Sequence, residues 1–111
     1  MNIAIIGSRG FSNYELVKTT LEKYEAKLIV SGGAKGADTL GERWALENGI
    51  PTKIFLPDWE KQGKSAGYIR NKDIIANSDI VIAFWDGISK GTKHSIDIAT
   101  NAGKQLIVIR V

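Results

Sequence analysis

The stretch Leu28-Ile29-Val30-Ser31-Gly32-Gly33-Ala34-Lys35-Gly36-Ala37-Asp38 passes from an uninterrupted apolar run, through a loop with three glycines, into a helical pattern. An apolar run without polar alternation fits a strand covered on both faces, as in a parallel sheet flanked by helices. Four more such runs occur, giving Asn2 to Ile6, Lys27 to Val30, Thr52 to Leu56, Asp79 to Phe84 and Gln105 to Val111. Four stretches with helical spacing lie between them. The first starts at Ser12, where Ser12 and Glu15 read as a capping box, and sets Val17, Thr20, Leu21 and Tyr24 on one face. The second runs from Lys35 to Asn48, turns Trp44 inward and stops at Gly49; the third covers Ala66 to Asn77; the fourth covers Thr92 to Ala102 and ends at Gly103. Pro57 to Ser65 is the longest linker.

The alternation β-α-β-α-β-α-β-α-β predicts an α/β, Rossmann-like three-layer sandwich. Right-handed crossovers with helices on both faces favour a five-stranded parallel sheet in the order 3-2-1-4-5. The chain then reverses direction across the sheet between strands 1 and 4. Ligands in such sheets bind beyond the strand carboxyl ends at that switch point.

The remaining composition narrows the class. The chain has 111 residues, 43% hydrophobic and 24% charged, the composition and length expected of one globular domain over residues 1–111. It contains no cysteine and one histidine, His94, which argues against thiolate chemistry, disulfides and the common structural zinc sites. Neither a metal nor a cofactor is expected. Met1 leads straight into Ile3 to Ile6 without a basic leader or a long apolar span, so a cytoplasmic protein with no membrane partner is expected. Fifteen Lys and Arg against twelve Asp and Glu give +3, a mild excess that points to anionic ligands only if the basic side chains converge.

Three loops follow strands 1, 2 and 4: Gly7-Ser8-Arg9-Gly10-Phe11, Ser31 to Asp38, and Trp85-Asp86-Gly87-Ile88-Ser89-Lys90-Gly91-Thr92. They hold seven of the twelve glycines. Glycine is costly to order, so its concentration calls for positive φ angles or backbone brought close to a ligand. Amides at a helix start, aligned with its dipole, hold phosphate. The second loop lacks G-x-G-x-x-G spacing and no Walker ending occurs, so neither dinucleotide binding nor P-loop hydrolysis is supported.

Arg9, Lys35, Lys61, Lys64, Arg70, Lys72, Lys90 and Lys93 fall in or beside the loops at this end. The arginines are the preferred phosphate anchors, and each lysine alone reads as a solvated loop residue. Backbone amides of Gly32, Gly33, Ala34 and Gly36, with those of Gly91 and Thr92, are expected to hold phosphate, and Ser8, Ser89 and Thr92 to add hydroxyls. Arg70 with Asn71 opens the third helix close to the linker. Trp85 or Phe11 is placed against a base, although tryptophan is commonly packing. Asp38 and Asp86 read either as ribose or acid–base groups or as a helix cap and a turn residue. His94 reads as a partly exposed helix residue.

Taken together, Gly7-Ser8-Arg9, Ser31-Gly32-Gly33-Ala34-Lys35-Gly36-Ala37-Asp38, Ile69-Arg70-Asn71, Phe84-Trp85-Asp86-Gly87 and Gly91-Thr92 resemble, in order and over nearly the whole chain, the SLOG superfamily in its small stand-alone bacterial and phage branch. The resemblance implies a Rossmann-like domain that senses or processes a nucleotide or nucleotide derivative, often as a homodimer. Within that superfamily the LOG phosphoribohydrolases split the N-glycosidic bond of nucleoside monophosphates, and Arg70 with Gly91-Thr92 is similar to part of their signature. Their P-G-G-x-G-T-x-x-E loop is here two residues longer, with Ser95 in the glutamate's place. A serine cannot replace a carboxylate that stabilises an oxocarbenium-like centre, so hydrolysis requires Asp86 or Asp38 to substitute, with Arg70 assisting. The core of the DNA-processing protein A family carries a similar S-G-G-A-x-G-x-D string, which makes single-stranded DNA the other partner that the resemblance implies.

Overall fold

The computed structural model describes residues Met1–Val111. The elements are β1 (Asn2–Gly7), α1 (Tyr14–Leu21), β2 (Leu28–Ser31), α2 (Ala37–Glu47), β3 (Thr52–Ile54), α3 (Trp59–Gln62), a 3₁₀ turn at Gly63–Ser65, α4 (Ala66–Ala76), β4 (Ile80–Trp85), α5 (Lys90–Asn101) and β5 (Gln105–Arg110). All strand pairs are parallel, in the order β3-β2-β1-β4-β5. This is the expected Rossmann-like topology, with its switch point between β1 and β4.

Alternation along the strands divides the core into two layers. Ile3, Ile5, Ile29, Ile80, Ile82 and Phe84 point to one face, where Val17 and Leu21 of α1 and Ala37, Trp44 and Ala45 of α2 cover them. Ala4, Ile6, Val30, Val81 and Ala83 point to the other, beneath Ile74 and Ile75 of α4 and Ala99 of α5. Because β1 and β4 are covered on both faces, they read as unbroken apolar runs.

The edges depart from that reading. β3 is shorter than expected and all three of its residues are exposed, and β5 is only partly covered. Each edge strand has a neighbour on one side alone, so its apolar residues serve pairing more than burial. The linker also contains structure, since Asp58 accepts from the Lys61 amide at 3.1 Å and caps the one-turn α3. Asn13, not Ser12, caps α1, because the Asn13 side chain accepts from the Leu16 amide at 3.1 Å. α5 begins two residues earlier than expected, capped by Ser89.

Gly41 shows how closely α2 lies on the sheet. A Cβ at this position would stand 2.8 Å from Ile5 Cβ, a branch point that cannot swing away. Alanine is the better helix former by about 1 kcal/mol. Overpacking costs about 1–3 kcal/mol and should win here. Gly41→Ala is therefore expected to lower the urea midpoint, whereas Gly10→Ala, with open space and no positive φ, should leave it unchanged or raise it slightly. An unchanged midpoint for Gly41→Ala would refute this packing.

Candidate functional site

The carboxyl ends of β1 and β2, the amino ends of α2 and α5 and the middle of α4 surround a cleft of about 90 Å³, lined by Ile6, Gly7, Arg9, Ala34, Asp38, Arg70, Asn71, Ile74, Ser89, Gly91, Thr92 and Ser95. The cleft thus joins residues from all three glycine loops and from α4. Gly7 is required by close approach: a Cβ there would collide with the Phe84 carbonyl and the Ala37 methyl. Gly36 adopts φ 82°, where a side chain would also meet the Ser8 carbonyl.

Asp38 holds the second loop in place. It is 5% exposed, and its Oδ2 accepts from the Gly32 amide at 3.1 Å and the Ala34 amide at 3.3 Å. The Gly33 amide is directed to Ser31 Oγ at 3.3 Å, and Ser31 Oγ donates to Glu42 at 2.6 Å. This corrects the expected role of the loop. The amides of Gly32, Gly33 and Ala34 are occupied by the protein's own side chains and do not face the cleft as phosphate donors. What the loop presents instead is the Gly32 carbonyl, which accepts from Arg70 at 2.6 Å. Arg70 Nε also donates to Asn71 Oδ1 at 3.0 Å, so its guanidinium is fixed in the cleft wall.

Opposite this wall is the start of α5. Ser89 Oγ lies 3.5 Å from the Thr92 amide and 3.1 Å from its hydroxyl, while the Gly91 amide, in the first turn, pairs with no carbonyl. Asp86 Oδ1 accepts from the Ile88 and Ser89 amides, each at 2.8 Å, and these bonds hold its carboxyl below the usual carboxylate range. Asp86 therefore acts as the turn residue that shapes the loop and does not line the cleft. Ser8 is likewise engaged, accepting from the Asp86 amide at 3.0 Å. Phe11 stacks on Phe84 with ring centroids 5.1 Å apart, packed on the side of the α1–α2 layer.

Of the expected site residues, Gly7, Arg9, Ala34, Asp38, Arg70, Asn71, Ser89, Gly91 and Thr92 converge on the cleft. Ser8, Phe11, Ser31, Gly32, Gly33, Gly36 and Asp86 shape its surroundings without lining it, as does Gly87, whose φ of 83° turns the chain against Arg110. Trp85 lies elsewhere, in a wider, shallower hollow of about 550 Å³ on the outer side of α5 with Tyr68, Gly87, Ile88, Lys90, Lys93, His94 and Asp97. Sequence reading overlooked Ile6 and Ile74 as cleft residues. Nothing in an apolar run marks the one side chain at its end that meets a ligand space.

Burial raises the Asp38 carboxyl to about 6, against the lowering influence of its two amide bonds and of Arg70. Desolvation lowers the Arg70 guanidinium, with Asp38 opposing that shift. The Asp38 and Arg70 charges thus support each other across a small, partly dry space. Burial also lowers His94, which packs edge-on against Tyr68 at 4.4 Å and lies 3.3 Å from the Asn71 amide nitrogen.

Comparison with known proteins converges on the same fold. Residues 1–62 match the model of the YspA, cpYpsA-related SLOG family. The chain belongs to this SLOG family. The Gene 61 protein of Mycobacterium phage D29 is 38% identical over 86 residues, covering 72% of this chain and 69% of the phage protein. The SLOG domain also superposes on the DNA processing protein A of Streptococcus pneumoniae with a TM-score of 0.83 at 23% identity, over 99% of this chain and 50% of that one. Helicobacter pylori DNA processing protein A, a single-stranded DNA binder, gives a TM-score of 0.75 at 27% identity, over 97% and 64%. This SLOG chain therefore spans half to somewhat under two thirds of the solved proteins it resembles. None of its helices is long and apolar enough to cross a membrane.

The raised Asp38 carboxyl has a stability consequence with a definite sign. Unfolded, the group titrates near 3.8; folded, near 6, so the folded chain holds the proton more tightly. Its stabilising contribution is full below about pH 4 and is lost as pH rises through 6, a decline of about 3 kcal/mol for a shift of about two units. Urea unfolding from pH 4 to 7 should show the wild type losing stability relative to Asp38→Asn, which retains an amide oxygen for Gly32 and Ala34. Parallel pH profiles would refute the assignment.

Proposed function

We propose that this SLOG domain binds a phosphorylated nucleotide or nucleotide derivative, with a phosphate in the cleft. The observation that carries the reading is the convergence of Arg9, Arg70 and the start of α5, from three separate parts of the chain, on one space of about 90 Å³. Each component favours an anion. Arg9 is exposed at the rim, and Arg70 is already oriented by Gly32 and Asn71. The Gly91 amide and Thr92 hydroxyl lie at the positive end of the α5 dipole. The space is far below the roughly 300–1,000 Å³ of a pocket that encloses a whole ligand, which suits a phosphate group and leaves the rest of the ligand outside. Sugar and base then extend outward.

Membership of the SLOG family supports a ligand of the nucleotide class, and the likeness to DNA processing protein A supports a second reading in which that phosphate belongs to single-stranded DNA. The outward opening of the cleft favours this reading. N-glycosidic hydrolysis is narrowed by the geometry to Asp38, the one carboxylate that lines the cleft; Ser95 lines it where LOG enzymes carry their glutamate. A homodimer remains part of the proposal on family grounds alone.

A thermal-shift panel tests the reading. Nucleoside monophosphates should raise the melting temperature saturably, by the equivalent of about 2.7 kcal/mol at a hundredfold excess over Kd, while the parent nucleosides should not. Arg9→Ala, at an exposed side chain, should weaken binding by about 1.5–3 kcal/mol, roughly 10- to 100-fold. Equal shifts for nucleosides and nucleotides would overturn the proposal. Release of free base during incubation, abolished by Asp38→Asn, would identify a hydrolase, and saturable binding without release would identify a sensor.

A further inference from the structure

The cleft contains no aromatic side chain, whereas the hollow across α5 brings Tyr68 and Trp85 together with Lys90, Lys93 and His94. The first turns of α5 separate the two. Ser89, Gly91 and Thr92 face the cleft; Lys90, Lys93 and His94 face the hollow. Asn71 on the cleft side reaches His94 on the hollow side, so the two spaces share a wall. We propose, building on the phosphate reading of the cleft, that the hollow receives the bases of the adjoining nucleotides in a short single-stranded oligonucleotide, whose backbone crosses the amino end of α5.

Three features select this occupant. The first is prearranged stacking surface. The Trp85 indole N–H donates to the Ser89 carbonyl at 3.0 Å, which fixes the ring, and Tyr68, 52% exposed, is braced against His94. Aromatic rings already held in place lose little freedom when a base stacks on them. The second is apolar surface without cover, since Ile88 is 80% exposed at the tip of the loop. The third is charge. Lys90 and Lys93 flank the aromatics, and the single carboxylate of the hollow, Asp97, is paired with Lys93 at 2.6 Å. Cations that track a backbone beside aromatic platforms are the usual means of holding single strands.

A strand with a phosphate in the cleft carries several bases past α5, whereas a single nucleotide offers one. A helix with its side chains is about 10 Å across, and a stacked strand advances about 3.4 Å per nucleotide, so a chain running from the cleft into the hollow spans about two or three nucleotides.

The test compares thymidine 5′-monophosphate with the 5′-phosphorylated thymidine trinucleotide, at one fixed salt concentration because phosphate contacts are salt-dependent. Stacking of even one base predicts at least about tenfold tighter binding of the trinucleotide. A trinucleotide lacking its second and third bases should lose that gain. Tyr68→Ser/Ile88→Ser should also lose it while binding the monophosphate within about twofold of the wild type. Both residues lie at the surface, and the melting temperature of the free variant reports its folding; Ile88→Ala alone gives a milder version of the same measurement. Equal affinity for mono- and trinucleotide, or a gain that survives removal of the bases or of both side chains, overturns the hollow while leaving the cleft reading intact. Failure of both ligands to bind overturns the two together.

Discussion

Asp38 is the constraint on which the site depends. It begins the first turn of α2, is buried beside the sheet, and gathers the Gly32 and Ala34 amides onto one oxygen. A buried carboxylate is costly unless paired and hydrogen-bonded; here two backbone donors and the nearby Arg70 charge reduce that cost only in part, and the carboxyl stays raised to about 6. The arrangement reverses the obvious role of a glycine-rich loop. Its amides turn inward to Asp38 and Ser31, its Gly32 carbonyl turns toward Arg70, and the arginine becomes part of the cleft wall. A Cβ at Gly32 would stand 2.5 Å from the guanidinium, so any larger residue there would push Arg70 from its place in the wall.

The second consequence concerns division of labour around α5. One helix start separates a small polar cleft from a wide aromatic hollow, and the loop before it is held in shape by Asp86, which is bonded to two successive amides. Ser8 joins this loop to the end of β1 through the Asp86 amide, which ties the first and third glycine loops together. A side chain that reads as a catalyst in a linear motif can thus be a structural part of the scaffold. Asp86 is such a case. Asp38, read as either cap or acid–base group, holds the second loop through the Gly32 and Ala34 amides and also lines the cleft with a carboxyl raised to about 6.

The parallel sheet, its strand order and the location of the site at one end were legible in residue order because they follow from patterns one or two elements long. Ile3 to Ile6 and Ile80 to Phe84 carry no polar alternation since both faces are covered, and that burial is written directly in composition. Glycine clusters after strands 1, 2 and 4 mark close approaches whatever they approach. Arg9 and Arg70 stand out in the sequence as the arginines at this end, and both line the cleft.

Which polar atoms face the cleft was decided only by tertiary structure. Hydrogen bonds between side chains and loops are settled over distances of a few ångströms, among partners such as Asp38 with Gly32, Ser8 with Asp86 and Arg70 with Gly32, the latter two far apart in the chain. No local pattern states which donor is satisfied from within and which remains available. The same is true of Trp85, which ends a strand beside the glycine loops but is carried to the far side of α5 by the indole bond to Ser89. Order along the chain determined the scaffold, because burial is a property of short segments; folding determined the chemistry, because a site is defined by the pairings that remain unmade once all the others have formed.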